Sequence, residues 1–165
     1  MAQVRSTLRA LAVNYDESPG DLLTRLDERL GFLGQDLIGT CAVARVSQRD
    51  GQWFARLSTA GHPPPLLTCG ERTAYVDMPQ DVLLGVTRSA ARRTTELTLP
   101  AGSTLLLYTN GLVEHRNRAL TDGMTALRET ARELRTDDLD TLCDTLLRRL
   151  APHPTDDACL LALHA

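Results

Sequence analysis

The sequence predicts an α+β domain. Helical periodicity occupies both ends of the chain, β-type runs separated by turn residues are grouped in the middle, and strands do not alternate with helices as in βαβ units. At the N-terminal end Val4, Leu8, Leu11 and Tyr15 recur at helical spacing. A second helix follows in SPGDLLTRLDERL, with Ser18 as N-cap, Pro19 in the first turn and Leu22, Leu23, Leu26 and Leu30 on one face. Thr40 to Ser47 and Gln52 to Thr59 form a hairpin about Arg49-Asp50-Gly51, and Leu66 to Cys69 with Thr73 to Val76 form another about Gly70-Glu71. Glu96 to Leu99 alternates polar and apolar residues, turns at Pro100-Ala101-Gly102 and leads into the strand around Leu105. Leu127, Ala131 and Leu134 predict one helix. Leu139, Leu142, Cys143, Leu146, Leu147 and Leu150 predict a longer one, capped by Thr136 with aspartates in its first turn. Ala158 to Leu163 closes the chain as a strand.

Bulk properties limit the function. A length of 165 residues suits one domain, and 42% hydrophobic with 4% aromatic residues describes a core of Leu, Val and Ala. The cysteines Cys41, Cys69, Cys143 and Cys159 are scattered without zinc-site spacing and read as buried apolar groups in a reducing, cytoplasmic setting. Neither a membrane span nor a signal peptide is visible. All 18 basic residues are arginine, but they form no basic block and the net charge is −3, so nucleic acid is not the expected partner.

Three stretches interrupt this regular pattern. In LLLYTNGLVEH, Leu105 to His115, an apolar strand runs into Thr109-Asn110-Gly111. Asn-Gly is a strong hairpin signal, yet the following Leu-Val-Glu-His-Arg is too short and too charged for a return strand. In STAGHPPPLL, Ser58 to Leu67, three prolines stiffen a crossover, and His62 reads as a loop side chain because no second ligand stands at metal spacing. In TDDACLLAL, Thr155 to Leu163, Asp156 and Asp157 precede an apolar strand. Asn110 and Asp156 thus each stand as a polar group at the mouth of an apolar strand, where a rigid scaffold presents site residues.

Taken in order, AGHPPPLL, LLGV, LPAGSTLLLYTNGLVE and TDDACLLAL resemble the SpoIIE-like branch of the metal-dependent protein phosphatases, relatives of protein phosphatase 2C, over nearly the whole chain. That resemblance implies an antiparallel β-sandwich flanked by helices on both faces, an αββα arrangement, with two Mn²⁺ or Mg²⁺ ions at one end. It implies a phosphoserine or phosphothreonine protein phosphatase acting in a bacterial partner-switching or sigma-factor circuit, with a phosphorylated protein such as an anti-sigma-factor antagonist as substrate. Asn110 stands where the family carries a metal-binding Asp, with Gly111 its small turn neighbour. Asp156 matches a second metal ligand, Asp157 a residue steadying it, and Glu114 the acidic residue after the turn.

The chain also departs from the pattern. Asn110 offers a neutral oxygen where a carboxylate would bring charge to a hard cation. Two further aspartates, which the family places in Gly-Asp motifs before the first helix, have no counterpart: Gly20-Asp21 opens a helix and Asp50-Gly51 turns a hairpin. Residues 1–165 are accordingly expected to be the C-terminal portion of one such domain, inactive on their own. The resemblance leaves three alternatives: a phosphatase domain continued elsewhere, a pseudophosphatase that binds protein without hydrolysis, or an unrelated α+β binding domain. An uncovered sheet edge or apolar face is expected to favour a homodimer.

Overall fold

The structure, a computed structural model, describes residues 2–13, 17–32, 37–87, 90–114, 119–134, 138–151 and 157–165. Its elements fall into two compact units, one formed by residues 1–62 and 78–98, the other by 63–77 and 99–165.

The first unit carries helices α1 (Ala2–Leu11) and α2 (Pro19–Phe32) and a sheet with strand order β1-β2-β5, where β1 is Cys41–Arg49, β2 is Gln52–Ala60 and β5 is Thr95–Leu99. Ser18 caps α2 as predicted: its Oγ accepts from the Asp21 N–H at 3.1 Å and donates to the Asp21 carboxylate at 2.6 Å. The apolar face of α2 packs on β1 and β2, burying Leu23, Leu26 and Leu30 with Val4, Ala60 and Leu84. β1 and β2 pair antiparallel from Cys41↔Ala60 to Arg49↔Gln52. Their turn holds Asp50 at φ 50° and Gly51 at φ 77°, the left-handed pair a two-residue hairpin requires. Tyr15, expected on the first helix, lies outside the described residues.

Residues 81–87 and 90–94 are fastened to α2 by polar contacts. Thr94 Oγ1 accepts from the Gly20 N–H at 2.9 Å, and Thr24 Oγ1 donates to the Ala90 carbonyl at 3.0 Å. Gly85, at φ 81°, donates its N–H to Asp27 Oδ1 at 2.9 Å. A Cβ there would stand 1.8 Å from the Leu37 carbonyl oxygen, so only glycine fits.

The second unit is a sheet of order β4-β3-β6-β7 with helices α3 (Leu120–Leu134) and α4 (Leu139–Leu150) packed against it. Here β3 is Leu66–Cys69, β4 Arg72–Tyr75, β6 Ser103–Tyr108 and β7 Leu160–His164, and every neighbouring pair is antiparallel. β6 lies between β3 and β7 and buries five of its six residues, in keeping with its unbroken Leu-Leu-Leu-Tyr run. Leu66, Leu106, Tyr108, Leu112, Leu127 and Leu146 form the centre of this core.

Several expectations shift. The turn at 100–102 does not pair its flanking strands, because β5 belongs with β2 and β6 with β3 and β7. α3, with 15 residues, is longer than α4, with 12. Thr136 lies outside the described residues, and Asp138 is the N-cap of α4, accepting from the N–H groups of Asp140 and Thr141. The last strand begins at Leu160, not Ala158, because residues 157–159 are drawn into contacts at the end of β6.

Candidate functional site

The end of β6 settles the question its Asn-Gly pair raised. Asn110–Leu112 form one turn of 3₁₀ helix, in which the Val113 and Glu114 N–H groups donate to the Asn110 carbonyl at 2.9 and 2.7 Å. Gly111 is absent from the glycines of positive φ, so no hairpin corner forms. Gly111, Leu112 and Val113 are buried, which anchors the turn and holds Asn110 at the half-buried rim and Glu114 in solvent. Gly123 of α3 lets the helix approach: a Cβ on it would stand 1.8 Å from the Val113 carbonyl oxygen.

Thr109 joins this turn to the segment before β7. Its N–H donates to the Cys159 carbonyl at 3.0 Å, its Oγ1 donates to the Asp157 carbonyl at 2.8 Å, and that oxygen accepts from the Cys159 N–H at 2.8 Å. One side chain therefore ties the Asn110 strand end to the end that carries Asp157. Sequence reasoning gave Thr109 no role, although a hydroxyl between an apolar strand and a polar turn is the available signal.

Of the predicted site residues, Asn110, Gly111, Glu114 and Asp157 occur at this end of the sheet, and Asp156 lies outside the described residues. The Asn110 amide donates from Nδ2 to Glu114 Oε2 at 3.4 Å, a long contact that turns the nitrogen toward the carboxylate. Asp157 is exposed. Beneath them Tyr108 is 2% exposed, its hydroxyl lies beside that of Tyr75 without a hydrogen bond of good geometry, and burial pushes its phenol well above the usual range, with Tyr75 adding to the shift.

Hard divalent cations take oxygen ligands, chiefly carboxylates, and two ions need several of them. Among the described residues no three His, Cys, Asp or Glu side chains converge, and Asn110 contributes only a neutral carbonyl oxygen. The described residues therefore do not make up a two-metal centre. His62 joins no such cluster either.

A family model described as Stage II sporulation protein E (SpoIIE) matches residues 1–165. No curated protein sequence matches the chain significantly. Among solved structures, that of the RsbU and RsbW domains of Rv1364c from Mycobacterium tuberculosis is 27% identical with a TM-score of 0.82, covering 98% of this chain and 46% of that one. The SiaA-PP2C domain of Pseudomonas aeruginosa is 17% identical with a TM-score of 0.79, covering 98% and 66%. The manganese-presoaked phosphatase domain of the cell fate determinant SpoIIE from Bacillus subtilis is 13% identical with a TM-score of 0.64, covering 99% and 74%. The chain thus spans less than half of the Rv1364c structure and about two thirds to three quarters of the other two. Its fold is that of the phosphatase 2C-like domains.

Proposed function

The chain belongs to the SpoIIE family, and from that membership we propose that it serves as a serine/threonine protein phosphatase domain in a partner-switching circuit. The whole-length family match carries the reading, and the likeness to the RsbU and RsbW domains of Rv1364c supports a regulatory setting. The ligand on this reading is a phosphorylated protein of the anti-sigma-factor antagonist type, met in the cytoplasm. The family's Mn²⁺ or Mg²⁺ would bring a polarised water and neutralise phosphoryl charge. Asp156, with Asn110 as a weak neutral partner, is the part of this chain proposed to face the ion. Gly111 leaves room in the turn, while Asp157 and Glu114 contribute charge around the strand ends.

The substitution at Asn110 favours a second reading, a pseudophosphatase that keeps the protein-binding surface and has lost hydrolysis. The two part at the chemistry. A phosphoserine-bearing antagonist protein is incubated with the chain and Mn²⁺ or Mg²⁺, and phosphate release and complex formation are followed together. Chelator-sensitive release supports the phosphatase. Complex formation without release supports the binding module, and neither signal with any such antagonist argues against both. Sizing of the same samples tests the expected homodimer.

A further inference from the structure

We draw no further inference here: the strongest candidate, the apolar groove between α1 and α2 lined by Ala10, Leu11 and the exposed Phe32, carries nothing because no feature of the described residues shows what covers it.

Discussion

Asp27 of α2 and Arg92 form an ion pair with both side chains fully buried. The Arg92 Nε and Nη2 both donate to Asp27 Oδ2, while its remaining donors reach the Val82 carbonyl at 2.6 Å and the Leu83 carbonyl at 3.3 Å. The other carboxylate oxygen accepts from Gly85 N–H, so the pair pins loop 81–85 to the helix. Removing one partner leaves a buried charge with nothing to balance it, at a cost of about 3–5 kcal/mol. Asp27→Ala is expected to lower the free energy of unfolding, measured by urea titration, by that amount, a large share of the stability of an ordinary domain. A loss below about 1 kcal/mol would show that water reaches the pair.

Tyr108 presents the opposite case, a buried hydroxyl with no hydrogen bond of good geometry, whose polar neighbour is a Tyr75 hydroxyl already donating to the Met124 carbonyl. Tyr108→Phe removes the polar atom and keeps the ring that packs among Leu66, Leu106 and Leu112. Stability should rise by about 1 kcal/mol, the scale of an orphaned polar group in a core. A fall in the thermal midpoint would mean that the hydroxyl has a partner, such as a bound water.

How much of this could be read from sequence depends on the range of the interaction. The Ser18 cap, the Asp50-Gly51 turn and the leucine face of α2 are local, and their chemistry is written within a few residues. The strand end at Asn110 was legible for a related reason, since the Leu-Val-Glu-His-Arg that follows Gly111 is too short and too charged for a return strand. Asp27 was not. An aspartate inside an amphipathic helix reads as solvated, and its partner lies 65 residues away. Thr109 escaped similarly, because its partners at 157 and 159 are 48 and 50 residues distant. The cap of α4 fell to Asp138 over Thr136 because nearby acidic and hydroxyl residues compete for one position.

Alkaline pH should destabilise the protein in a predictable window. Burial pushes the Cys41 thiol up to about 11 from 9.0, opposed by Arg92 and reinforced by Asp27. The native state therefore holds its proton after the unfolded chain has released it. The stabilisation is complete below pH 9 and is lost as pH rises toward 11. Tyr75 and Tyr108, also raised by burial, extend the loss to higher pH. Unfolding measured between pH 8 and 11 should show a shallower decline for Cys41→Ala than for the parent. At pH 8 iodoacetamide should label exposed Cys159 well before Cys41, and mass spectrometry of the digested chain checks the order.

The contact between Asn110 and Glu114 gives the metal question a readout that needs no turnover. In the parent the amide nitrogen donates to the Glu114 carboxylate at 3.4 Å. Asn110→Asp replaces that contact with two carboxylates facing each other, which repel unless a cation lies between them. In EDTA the variant should therefore melt below the parent. Adding Mn²⁺ should restore or exceed the parent's midpoint, because a ligand that binds only the native state stabilises it by mass action. By calorimetry the parent should show no Mn²⁺ site tighter than about millimolar, the weak end of oxygen-ligand sites, and the variant should bind on the order of tenfold more tightly. Equal Mn²⁺ responses from the two proteins would place the ion away from Asn110 and remove this strand end as a metal-facing position.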